Sequence, residues 1–250
     1  MMARQVRRVG GWFPDVRLWT AGAAFGVGAL LLIEFTLQVV AGQRPALDAG
    51  DPLAEFASNT AGITLARVLV DTLLMAFLIV FLGGFRQLVT HVRPDLQWIS
   101  DLAFGAGLVF VGVTLVGDSM EAGGALDTIG LTPEPIAIRG LTEGYMVMFG
   151  PMTCVLLALV SAASGYVILA SRVLPVWTGR LAYVVTVLNL AAVPSIFGGT
   201  DASRFYSVGG WGVAVFATFP WLVWVVAVGI VCVRERGLEV VRDTDELAAA

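Results

Sequence analysis

Apolar and polar positions along the chain fall into six long apolar stretches, separated by short segments rich in Pro, Gly, Asp and Arg: Leu18–Ala41, Ala61–Gly84, Trp98–Gly117, Tyr145–Ala170, Leu181–Gly198 and Trp211–Val233. A bilayer's hydrocarbon core is about 30 Å thick and takes about 20 apolar helical residues to cross, so each stretch predicts one transmembrane helix. None alternates apolar and polar residues with the period of two that a membrane β-strand requires. The predicted fold is an all-α, polytopic membrane helical bundle of six transmembrane helices. No polar segment is long enough for a separate soluble domain, which leaves an N-terminal segment (1–17), a six-helix membrane domain (18–233) and a C-terminal tail (234–250).

Composition agrees with this reading. Of 250 residues, 58% are hydrophobic and 14% charged, with a mean hydropathy of +0.85, whereas a soluble domain carries about 25% charged residues. Arg4, Arg7, Arg8 and Arg17 precede the first stretch as they would precede a secretory signal. That stretch is too long for a signal's apolar region, contains Glu34 and ends without a small-x-small cleavage site, so it is read as an uncleaved helix.

Charge sets a direction. All fifteen basic residues are Arg, and eleven of them (Arg4, Arg7, Arg8, Arg17, Arg86, Arg93, Arg172, Arg180, Arg234, Arg236, Arg242) flank one side of the predicted spans, against Arg44, Arg139 and Arg204 on the other. The positive-inside bias then places both termini in the cytoplasm, in a bacterial cytoplasmic (inner) membrane. Asp48, Asp51, Glu55, Asp118, Glu121, Asp127, Glu134, Glu143 and Asp201 read as outer-loop residues. They form either solvated loop surface or a rim that gathers cations. The longest connection, Asp118–Glu143, is long enough for a lid or an interfacial turn. Nothing in the chain resembles a nucleic-acid footprint.

Several chemistries are excluded by what the chain lacks. The single His91 lies between the second and third stretches, so no bis-histidine haem site can form at membrane depth. The same lack leaves Ser164 without a base, and Ser161-x-x-x-Gly165 reads as a helix-packing motif instead. Without Lys there is no Schiff base. Cys154 and Cys232 make no C-x-x-C pair. Met146, Met148, Met152 and Cys154 offer soft sulfur that would suit Cu(I). Met146 and Met148 nevertheless point about 200° apart on a helix, and Met is ordinary apolar filling. No metal and no cofactor is expected.

The residues that carry information are polar ones at membrane depth. Glu34 and Arg67 each lie six or seven residues inside the distal end of their stretch, roughly 10 Å deep at ~1.5 Å per residue. Asp71 is one turn from Arg67 and Gln38 one turn from Glu34. An unpaired charge at the centre of a membrane helix costs about 2.5–3.5 kcal/mol, so such groups face inward and pair. Glu34, Gln38, Arg67 and Asp71 are therefore the expected polar cluster, serving either a proton- or cation-coupled site or a buried ion pair that fixes helix register. The second half of the chain differs, with Pro151, Pro194 and Pro220 inside its apolar stretches and Asn189 near the middle of the fifth. Interior prolines bend helices, and these four residues are candidates for lining a cavity. Gly22-x-x-x-Gly26, Gly28, Gly105, Gly107 and Gly112 suggest close helix contacts. The halves show no inverted repeat.

Ser164-Gly165-Tyr166-Val167-Ile168-Leu169 followed by Arg172-Val173-Leu174-Pro175-Val176-Trp177-Thr178-Gly179-Arg180-Leu181 resembles a bacterial six-helix integral membrane family of unknown function. The acidic residue late in the first helix and the Arg-to-Asp stretch of the second resemble it too, so the likeness spans most of residues 18–233. It implies topology and no reaction, and the chain lacks the histidine that many of those proteins carry in helix 4. The functional expectation is a membrane protein that binds or transports a small solute or ion through the Glu/Arg/Asp cluster. The alternatives are a structural or assembly subunit of a membrane complex, with a membrane protein partner, and a membrane enzyme. No nucleophile–base pair or metal set can be assembled, so the balance is against an enzyme.

Overall fold

The computed structural model describes residues 15–130 and 134–248, with side chains as far as Glu235. Arg4, Arg7, Arg8, the segment 131–133 and the side chains of Arg236 and Arg242 lie outside the described residues. Among the described residues the chain is helical apart from its connecting segments, with no strand, and six helical runs are long and apolar enough to cross a membrane.

Local chemistry sets the boundaries. α1 (Val16–Ala41) starts where Asp15 Oδ1 accepts from the amides of Arg17 and Leu18, and ends at Gly42 with φ +83°. α2 (Asp51–Val92) begins after Gly50 (φ +61°), with Pro52 in its first turn where no amide hydrogen is needed. A tight 3₁₀ turn, Pro94–Leu96, reverses the chain into α3 (Gln97–Asp127). α4 (Pro135–Val147) passes through a π-helical turn, Met148–Met152, into α5 (Thr153–Ser171). Left-handed Arg172 (φ +54°) and Pro175 turn α5 into α6 (Val176–Ala192). A 3₁₀ segment, Val193–Gly198, and a loop lead to the short α7 (Trp211–Val213), the π turn Ala214–Thr218 and α8 (Phe219–Ala248).

The helices pack mostly with their sequence neighbours: α1 against α2 and α8, α2 against α3, α3 against α4 and α5, and α5 against α6. Arg17 and Glu235 join α1 to α8 at the end of the bundle that carries the termini, here the terminal end; the opposite end is the distal end. The core of the terminal half is apolar. Trp224 of α8 is wholly buried, stands edge-on to Phe81 at 6.0 Å and donates from Nε1 to the Thr178 carbonyl at 3.2 Å. Leu78, Phe85, Val160, Val167 and Val228 surround it. Outward-facing Leu32, Ile33, Leu69, Val109, Val187 and Val223 are exposed, as lipid-facing positions should be. A second small core at the distal end packs Leu47, Leu53, Ala54, Ile138, Met146 and Val208.

Two sequence expectations are corrected. Asp118 and Glu121 are not loop residues: α3 runs ten residues past Gly117, and both side chains are buried. The hydropathy window closed at Gly117 because it scores acids as solvated, whereas these two point at other helices. The segment expected as one connection, Asp118–Glu143, accordingly contains the last turns of α3 and the first turns of α4. Pro194 and Pro220 lie within continuous helical runs, Val176–Gly198 and Trp211–Glu235, Pro194 where the α-helix tightens to 3₁₀ and Pro220 just after the π turn Ala214–Thr218. Pro151 also sits within a helical run, in the π turn Met148–Met152.

Candidate functional site

The polar cluster grows out of the α2–α3 hairpin. The tight turn at Pro94–Leu96 puts the two helices antiparallel, so facing residues run in opposite order. Arg86 Nε bonds Asp101 Oδ1 near the turn; then Leu82 lies against Gly107, Asp71 against Asp118, and Arg67 against Glu121. Along α3 the inward face is the stripe Gly107, Val111, Thr114, Asp118, spaced four, three and four residues apart, with Glu121 next. This stripe carries both acids into the bundle.

Arg67 is the hub. Its Nη2 donates to Glu121 Oε2 and, at 3.2 Å, to the Tyr145 hydroxyl of α4. Its guanidinium carbon lies 5.6 Å from the centre of the same tyrosine ring. The other Glu121 oxygen accepts from Arg44 Nη2 at 3.2 Å, so one carboxylate holds two arginines. Asp71 and Asp118 face each other behind this pair. Glu34, on α1, faces Arg67, Asp71 and Glu121 and makes no hydrogen bond or ion pair among the described residues. Gln38, one turn further, has its Oε1 buried without a donor.

Glu34 and Gln38 border a cavity of about 210 Å³ whose wall also includes Arg44, Arg67, Tyr145, Phe35, Phe149 and Gly150. A wider space of about 700 Å³ shares Phe35, Gln38, Arg44 and Ala214 with it and continues to Gln43, Ser203 and Trp211 at the distal end. Two helix irregularities make the room. Gly150 leaves helical geometry (φ −91°, ψ −106°) beside Pro151, and the π turn Ala214–Thr218 forms part of the cavity wall. Such turns widen a helix locally and often mark functional positions. Above the opening, Asp201 Oδ1 accepts from the Ser203 amide at 2.9 Å and its hydroxyl at 2.7 Å. Those donors hold the exposed Asp201 carboxyl below the usual carboxylate range.

Of the residues singled out from sequence, Glu34, Gln38, Arg67 and Asp71 come together. Asn189, Pro151, Pro194 and Pro220 line neither of these two cavities. Asn189 is fully buried, its Nδ2 donating to the Val185 carbonyl at 2.9 Å and its Oδ1 without a donor among the described residues. Sequence reasoning missed Arg44, Asp118, Glu121 and Tyr145 as members of the cluster. For the two acids a usable signal existed: a hairpin register counted outward from the Pro94 turn pairs them with Asp71 and Arg67.

Among the described residues no group of His, Cys, Asp and Glu side chains is arranged to hold a metal ion. The chain matches no family profile, no curated protein and no solved structure. The motifs that resemble a six-helix family have a packing explanation here, since a Cβ on Gly165 would lie 3.0 Å from the Gly179 carbonyl where α5 meets α6. Fold and composition together identify the chain as an all-α, multi-pass membrane protein, with six helices among the described residues long and apolar enough to span a bilayer.

Proposed function

We propose that the protein binds, and passes across the membrane, a small solute that is positively charged or rich in hydrogen-bond donors, taken up through the vestibule that ends on Glu34. The observation that carries this reading is an imbalance in the cavity wall. Both arginines there hydrogen-bond to Glu121, while Glu34 and Gln38 present acceptors that no donor among the described residues meets. A carboxylate at membrane depth is expensive unless something offsets its charge, and the space beside Glu34 is where that partner would sit. Phe35, Tyr145 and Phe149 add aromatic walls of the kind that suit organic cations. The excess of Arg at the terminal end supports an inner-membrane orientation with both termini cytoplasmic, so the vestibule would open outward.

Titration calorimetry on the purified protein, against a panel of small primary and quaternary amines and alkali-metal cations, tests the reading. Saturable binding of at least one probe is expected. Glu34→Gln should weaken it about 10–100-fold, as loss of a charge-assisted hydrogen bond worth ~1.5–3 kcal/mol implies. Binding unchanged in Glu34→Gln, or no saturable binding across the panel, sinks it. A stoichiometric membrane partner that co-purifies and occupies the vestibule would instead make the protein an assembly subunit.

A further inference from the structure

The α2–α3 register that sets Leu82 against Gly107 and Arg67 against Glu121 brings Asp71 of α2 and Asp118 of α3 opposite each other, with their carboxyl groups adjacent. Two ionised carboxylates are acceptors only and cannot bond to each other. Asp71 is 2% exposed and Asp118 4%, and Oδ2 of each meets no donor among the described residues. Arg67, one turn from Asp71, attracts both aspartates but bonds neither of them, its hydrogen bonds going to Glu121 and Tyr145. The other charged groups around the pair are acids, Glu34 from α1 and Glu121 from α3, and α5 contains no charged residue. Four carboxyl groups, Glu34, Asp71, Asp118 and Glu121, thus meet only two arginines, Arg44 and Arg67, and like charges at this spacing cannot all be ionised.

We infer that Asp71 and Asp118 hold one proton between them and form a proton-binding site that exchanges with the vestibule through Glu34. Among the described residues Glu34 is the only acid that both borders the cavity and faces the pair. In the exchange, the O–H bond of one aspartic acid breaks and the proton passes to the Glu34 carboxylate and on to solvent base as a cation enters the vestibule beside Glu34 and offsets the negative charge left on the acids. Toward the terminal end the way is closed by Leu74, Leu78, Val111 and Phe110, all buried in the apolar core. The proton site is therefore open to one side of the membrane only, which is the condition for coupling a proton gradient to movement of the solute.

Infrared spectroscopy of the reconstituted protein, with aspartate alone isotope-labelled and no solute present, reads the site directly. The expected result is a protonated-carboxyl band at neutral pH that shifts with the aspartate label. Asp71→Asn and Asp118→Asn should each abolish it, because the new amide donates to the remaining carboxylate and no proton is required. Absence of a label-sensitive band in the unsubstituted protein, or its persistence in either Asn variant, overturns the inference. If an Asn variant does not fold, Asp71→Glu and Asp118→Glu keep a carboxyl in place. The band must then persist at a changed frequency, and an unchanged band overturns the shared proton. The measurement uses no solute, so its failure leaves the Glu34 binding result standing, and the converse holds.

Discussion

At Arg67 one guanidinium serves both the Glu121 carboxylate and the Tyr145 hydroxyl, and Arg44 takes the remaining Glu121 oxygen. Removing one partner of a buried ion pair strands the other, at about 3–5 kcal/mol. Arg67→Met should therefore destabilise the protein toward the lower end of that range, since Arg44 still compensates Glu121. Arg67→Met combined with Glu121→Leu should recover most of the loss. Unfolding in detergent measures both, and a single-variant loss under ~1 kcal/mol would class the pair with weakly contributing surface bridges. Glu34, Arg67 and Asp71 were legible as a cluster because each interrupts an apolar stretch, where an ionisable group needs a reason. Asp118 and Glu121 were not, because they follow the end of the third apolar stretch and an acid past a hydropathy boundary looks solvated. Tyr145 and Arg44 carried no signal, since a tyrosine at a helix end and a loop arginine are ordinary until a fold brings them to Arg67.

Hydropathy reports hydrocarbon depth, whereas helix length is decided by caps and by what the ends pack against. The second stretch reads as Ala61–Gly84, yet α2 spans 42 residues from Asp51 to Val92, about 63 Å at ~1.5 Å per residue. Its extension buries Leu53 and Ala54 in the distal core with Ile138, Met146 and Val208. That core, invisible to a membrane-depth scale, helps to frame the vestibule. Number and order of the helices were legible, and each interior proline stands beside a helix irregularity: Pro151 in a π turn, Pro194 where α6 tightens to 3₁₀, and Pro220 just after the π turn Ala214–Thr218. The α5–α6 contact gives a test of close packing. A Cβ at Gly165 would stand 3.0 Å from the Gly179 carbonyl and 3.3 Å from Ala182 Cβ, so Gly165→Ala should cost the ~1–3 kcal/mol typical of overpacking. Gly105→Ala on α3, with no atom within 4 Å, should be neutral or stabilising by up to about 1 kcal/mol, since Ala is the better helix former. Equal effects at the two sites, measured by unfolding, would contradict close backbone approach as the reason for Gly165.

Across the whole molecule, polarity is divided by depth. Arg67, Asp71, Asp118 and Glu121 lie toward the distal end with the cavities, and the terminal half is a continuous apolar core around Trp224. One-sided access follows, and combined with the proposed orientation it predicts a labelling pattern. A membrane-impermeant thiol reagent added outside intact cells should modify Gln38→Cys and Ala214→Cys, which border the vestibule. It should leave Leu78→Cys and Val225→Cys unmodified, since both positions are within the core. The native Cys154 and Cys232 are buried, which keeps the background low. Labelling of the vestibule positions only in inverted vesicles would reverse the orientation while keeping the one-sided cavity. Labelling of Leu78→Cys from either side would remove the apolar barrier on which a coupled proton depends, because a proton free to cross at Leu74 and Leu78 could not be tied to movement of a solute at Glu34.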